Sequence, residues 1–248
     1  MEFLALSLQS LSNPTDILLI ATSFIGSLIS AALGIGGGTL MLAVIAQTLP
    51  VAAIIPVHGV VQFGSNLGRA LLLIKHVQWT LFFAFTAGAL IGALIGGQLV
   101  VSLPAQILKP ALGAFILYSV WGSKLKPDQM SLKALGFGGT ITTFLTMFVG
   151  ATGPFVLSLI RTFGLPPAET VSTNSACILM QHTLKIVVFG LLGFNFYPYA
   201  SLIAAMLAAG FAGTYLGKMV LVRTAPERFD AVLKLILSAL ALRLLWPF

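Results

Sequence analysis

The chain has 248 residues, of which 58% are hydrophobic and only 8% charged, and its mean hydropathy is +1.05. A soluble domain carries about 25% charged residues, so these few charges exclude a water-covered fold of this size. The fold class is all-α, a polytopic integral membrane protein, because an open sheet cannot satisfy its backbone in lipid. The net charge of +7 belongs to loops that set orientation and to costly positions inside spans, and implies a lipid bilayer rather than nucleic acid as partner. Cys177 is the single cysteine, which excludes an intramolecular disulfide and a cysteine-clustered metal site.

In chain order, residues 1–15 carry Glu2 and no Lys or Arg. They lack the basic region of a cleavable signal peptide, so the first span reads as an uncleaved anchor. A span needs about 20 apolar residues. Eight segments qualify as predicted helices: 16–33, 51–74, 81–101, 105–121, 132–149, 168–192, 199–222 and 227–246. Two shorter apolar pieces, 39–49 and 155–164, each follow a glycine-rich break. At about 1.5 Å per residue each covers half a bilayer.

Shifting the sequence by 116 residues aligns its halves: Gly34 falls on Gly150, Gly37 on Gly153, Pro50 on Pro166, Arg69 on Lys185 and Pro110 on Pro226. The expected organisation is one membrane domain over 1–248, with repeat one at 14–122, a polar linker at 123–130 and repeat two at 131–247. Such repeats place a substrate site at their interface, at interrupted helices. Gly88, Gly92 and Gly96 in the third span, with Ala204, Ala208 and Ala212 as counterparts and Gly213 and Gly217 nearby, read as close-packing scaffold.

Three constellations carry the chemistry. The breaks GIGGGT (34–39) and GATGPF (150–155) each open a short helix whose first N–H groups and partial positive charge suit an anion. Gly34, Gly36, Gly37, Gly38, Thr39, Gly150, Thr152, Gly153 and Pro154 are the candidate residues there. A polar stripe at steps of three and four marks one face of the second span: His58, Gln62, Ser65, Asn66 and Arg69. Its counterpart on the sixth span is Asn174, Gln181, His182 and Lys185. Finally, the charges are sorted. Arg69 and Lys185 lie within spans, whereas Asp16, Glu169, Glu227 and Asp230 sit near span starts. An electropositive interior without mid-span acids selects a small anion as cargo.

These residues resemble the TauE/SafE sulfite exporter family over essentially the whole chain. Gly34, Gly36, Gly37 and Gly38 match its first glycine cluster, and Gly150, Gly153 and Pro154 its second. The second copy departs from the glycine-rich form through Ala151 and Thr152, and His58 stands where small or hydroxyl residues are common in the family. The resemblance implies a multi-pass protein of the prokaryotic inner membrane that moves sulfite or another small sulfur-containing or organic anion.

The expected function is therefore a secondary anion transporter, most simply a sulfite exporter, working by alternating access around the two broken helices. No ATP-binding motif, metal site or cofactor motif is present; GIGGGT lacks the last glycine of a dinucleotide fingerprint, and no Walker lysine follows. His58 and His182 are the candidates for proton coupling. The alternatives are an anion channel and a non-transporting intramembrane binding or assembly protein. An enzyme is disfavoured because H-E-x-x-H, G-x-S-x-G and paired mid-span aspartates are lacking. A homodimer is left open. Lys and Arg divide almost evenly among alternate loops, so charge does not fix the orientation; inverted repeats are preferred by analogy with other broken-helix transporters.

Overall fold

The computed structural model describes residues 13–33, 36–100, 105–122, 130–220 and 226–246. Gly34 and linker residues 123–129 lie outside the described residues. Ten α-helices follow one another among those described, and no strand: α1 (Pro14–Leu33), α2 (Gly37–Thr48), α3 (Val51–Leu72), α4 (Trp79–Val100), α5 (Ala105–Trp121), α6 (Leu132–Val149), α7 (Gly153–Arg161), α8 (Pro167–Leu191), α9 (Ala200–Val220) and α10 (Pro226–Leu245).

Six of these, α1, α3, α4, α6, α8 and α9, are long and apolar enough to cross a membrane. The other two expected spans fall short for different reasons. Helix α5 has 17 residues, and α10 carries Glu227, Arg228, Asp230, Lys234 and Arg243 along its 20 residues. The half-helices α2 and α7 have 12 and 9 residues and begin two residues earlier than expected, at Gly37 and Gly153.

Two tight helix pairs frame the molecule, α4 with α6 and α1 with α9. In each, glycine lets backbones touch. A Cβ on Gly92 would run into the Thr140 carbonyl oxygen, and one on Gly213 into that of Phe24. Gly96 faces the Phe144 carbonyl in the same way that Gly217 faces that of Leu28. Thr140 Oγ1 donates to the Gly88 carbonyl at 3.0 Å, and Ser23 Oγ to that of Met206 at 2.7 Å. The scaffold role of α4 and α9 thus stands on close backbone approach, with one correction: Ala204, Ala208 and Ala212 face outward. The contact on α9 is made by Gly210, Gly213 and Gly217 instead.

Helices α3 and α8 pack on each other, and α5 packs on α10. The half-helix α2 lies among α1, α3, α5 and α10, with Met41, Leu42, Ala43, Ile45 and Ala46 at most 1% exposed. Large apolar side chains instead cover the outside: Leu94 is 66% exposed, Phe83 63% and Leu191 84%. Exposed Trp79, Trp121, Tyr197 and Trp246 stand at or beside helix ends, where amphipathic rings suit a membrane–water boundary.

Candidate functional site

The two glycine breaks have different local chemistry. At the first, Gly36 caps α2 with φ 98° and ψ −37°, a conformation that side chains rarely adopt. Gly37 lies against the backbone of α1: a Cβ there would strike the Gly26 carbonyl oxygen. Gly37 therefore serves helix crossing and does not line the cavity described below. The first turn of α2 leaves its N–H groups unpaired, as every helix does, at Gly38 and Thr39.

At the second break Gly150 ends α6 with φ 78° and ψ −39°. Its N–H donates to the Thr146 carbonyl at 3.1 Å. Its own carbonyl accepts from Thr146 Oγ1 at 3.0 Å and from Lys185 Nζ at 2.9 Å. Pro154 occupies the first turn of α7, where its missing N–H costs nothing. Thr152 caps α7 without a side-chain cap bond; its Oγ1 donates to Gln181 Oε1 at 3.2 Å.

The polar faces of α3 and α8 meet between the breaks. The rings of His58 and His182 stand edge to face with centroids 5.9 Å apart. His58 Nε2 lies 3.0 Å from the Gly38 carbonyl. A carbonyl only accepts, so Nε2 carries the hydrogen and Nδ1 keeps a lone pair. Asn66 Nδ2 donates to the Gln62 carbonyl at 2.7 Å, and Asn66 Oδ1 accepts from Arg69 Nη2 at 2.9 Å. Arg69 Nη1 also donates to the Ser30 carbonyl at 3.2 Å, in the last turn of α1, where carbonyls lack helical partners.

One cavity of about 50 Å³ collects these features. Space for one water needs roughly 10–15 Å³ by this measure, so a few waters or one small oxyanion fit. Of the candidates, Gly36, Gly38, Thr39, His58, Gln62, Asn66, Arg69, Gly153, Pro154, Asn174 and His182 line it. No Asp or Glu does. Buried polar atoms ordinarily find partners. Among the described residues six buried side-chain polar atoms have none, and four of them belong to lining residues: His58 Nδ1, Arg69 Nε, Asn174 Oδ1 and His182 Nδ1. Among the described residues no three His, Cys, Asp or Glu side chains gather as metal ligands.

Five candidates stand apart from the cavity. Besides Gly37, these are Gly150, Thr152, Gln181 and Lys185. Gln181 spends its amide inside the protein, donating to Thr142 Oγ1 at 3.1 Å and Thr143 Oγ1 at 2.9 Å. Lys185 is fully buried, and its Nζ donates to Thr146 Oγ1 at 3.1 Å as well as to the Gly150 carbonyl. It stands at the C-terminal end of α6, where a donor satisfies a carbonyl that lacks a helical partner. Gly34 lies outside the described residues. Sequence reasoning passed over Ser30, Ala151 and Ile178, which also line the cavity. Ser23, Ser27 and Ser30 at steps of four and three were the available signal for the first of these.

A second, larger cavity of about 300 Å³ adjoins the first, sharing Arg69 and Asn174 with it. Its remaining lining comes from α7, the start of α8 and their connection.

The model of the family described as Sulfite exporter TauE/SafE matches residues 19–244. The chain belongs to the TauE/SafE sulfite exporter family. That membership covers both glycine breaks, both polar helix faces and the cavity between them. It identifies a multi-pass membrane protein of a transporter family, in keeping with the six apolar helices. No curated protein and no solved structure matches the chain.

Proposed function

We propose that this TauE/SafE member is a secondary transporter that exports a small anion, sulfite or a related sulfur-containing or organic anion, across a prokaryotic inner membrane. The observation that carries the reading is a cavity where both breaks and both polar faces meet at Arg69, with no acid in its lining among the described residues. A cation would find no counter-charge there. An anion finds the guanidinium, the first turn of α2 and the side chains of His58, Gln62, Asn174 and His182.

Alternating access is the mechanism we infer, with the broken helices moving around the bound anion. Paired contacts support a two-repeat, eight-segment arrangement. Arg69 reaches Ser30 as Lys185 reaches Thr146, and both pairs are related by 116 positions. Helix α4 packs on α6 as α9 packs on α1. In this arrangement α5 and α10 complete the spans as a mutually packed pair. An inside-negative potential drives an anion outward by about 2.3 kcal/mol per charge per 100 mV.

The test is flux into proteoliposomes with labelled sulfite, thiosulfate, sulfate, sulfonates and small carboxylates. Saturable flux of at least one of these is expected. Folded protein that moves none of them refutes the proposal.

A further inference from the structure

The larger cavity has a lining chemistry of its own. Arg69 lines it and the small cavity alike, and Arg161 lines it from the last turn of α7. The Arg161 side chain is exposed, and its guanidinium has no hydrogen-bond or ion-pair partner among the described residues. A basic residue at a helix C-terminus complements the dipole, which alone would explain an arginine at this position. It would not explain why that arginine lines a cavity shared with a second arginine and, among the described residues, with no acid. The rest of the lining is apolar at Leu157, Leu165, Pro167 and Val171 and polar at Thr170, Asn174 and Ser175.

The two volumes differ about sixfold, 300 against 50 Å³. The small cavity admits only a stripped oxyanion. The larger one reaches the range typical of small-molecule pockets, about 300–1,000 Å³, and takes an oxyanion with its water or with a short organic group against the leucines. Arg69 and Asn174 belong to both, so an anion passing from the larger cavity to the smaller exchanges Arg161 for Arg69 without meeting an acidic residue among those described.

We infer that the larger cavity is a second anion site, loaded through Arg161, in series with the inner cavity. It takes small oxyanions, with or without a short apolar substituent. The inference rests on the transport reading but has a binding readout of its own. Equilibrium dialysis of the full chain in detergent with radiolabelled sulfite is expected to give two sulfites per chain. Arg161→Gln removes one of them and leaves the other within about threefold of its affinity. Arg161→Lys keeps both, the outer one weakened about tenfold by loss of the bidentate guanidinium fork. Lys133→Gln, at an exposed residue in the first turn of α6, changes neither.

One sulfite per chain in the wild type, or two that Arg161→Gln leaves untouched, overturns the inference. Should Arg161→Gln be silent while Arg69→Gln abolishes a single site, the outer site falls and the transport reading stands. Should folded wild-type protein bind no sulfite at all, the outer site falls, and the anion panel then decides the transport reading separately.

Discussion

The second break offers a quantitative test through Gly150→Ala. Its φ of 78° with ψ of −39° lies where a side chain costs about 1–3 kcal/mol of backbone strain. The new methyl group would also stand 2.8 Å from Leu42 Cδ1 and 3.2 Å from Ile55 Cδ1. Both side chains are at most 2% exposed, so they have little room to yield, and overpacking adds about 1–3 kcal/mol. The total is about 2–6 kcal/mol. Gly164 is the internal control: its φ is 63° and nothing lies within 4 Å of its missing Cβ. Gly164→Ala therefore carries only left-handed strain, on the order of 1–2 kcal/mol. Thermal melts of the two variants in one detergent read the difference, at roughly 2–4 °C per kcal/mol for a chain of this size. Gly150→Ala is expected to melt several degrees below Gly164→Ala. Equal midpoints would refute the claim that the break is packed tightly against α2 and α3.

Three further variants separate the site from its support. Arg69→Gln removes the guanidinium from the boundary of both cavities; losing a charge-assisted hydrogen bond of about 1.5–3 kcal/mol should weaken sulfite binding by roughly 10–150-fold, read by equilibrium dialysis. An affinity within threefold of wild type would contradict that placement. Gln181→Leu removes three internal hydrogen bonds at about 1 kcal/mol each, so stability should fall by about 3 kcal/mol, read as a lower melting midpoint, with sulfite affinity retained. On α9, Gly213→Ala forces a methyl into the Phe24 backbone and should cost at least about 1–3 kcal/mol, whereas Ala212→Leu on the exposed face stays within about 0.5 kcal/mol.

Composition alone made the membrane class legible, and the two glycine runs made the breaks legible, because few other sequences interrupt an apolar segment that way. The polar stripe was legible as one helical face. What the face does was not. Asn174 and Gln181 share it seven residues apart, yet one opens to the cavity while the other is consumed by Thr142, Thr143 and Thr152. That division depends on which neighbour lies opposite, a tertiary fact. Lys185, expected to lend its charge to the anion, depends on its neighbours in the same way: its sequence partner Arg69 lines both cavities, whereas Lys185 is enclosed by the helix end it holds.

The glycine stripe shows a different failure. A uniform shift of 116 sends Gly92 and Gly96 to Ala208 and Ala212, which face outward. The contacts pair Gly92 with Gly213 and Gly96 with Gly217, a shift of 121, since 213 − 92 = 121 and 217 − 96 = 121. Their partners Phe24 and Thr140, and Leu28 and Phe144, keep the shift of 116. Five residues enter between the two registers, on the way from the polar face of α8 to α9, where α8 is three residues longer than α3. A gapless alignment has no means of placing them.

The central claim is that one anion is carried at a site built around Arg69 between the two breaks. Sulfite counterflow tests it most directly: proteoliposomes preloaded with unlabelled sulfite are diluted into a trace of labelled sulfite. The wild type should accumulate label transiently and saturably, and Arg69→Gln should lose this accumulation. Linear flux without overshoot, or counterflow unchanged in Arg69→Gln, would contradict the account.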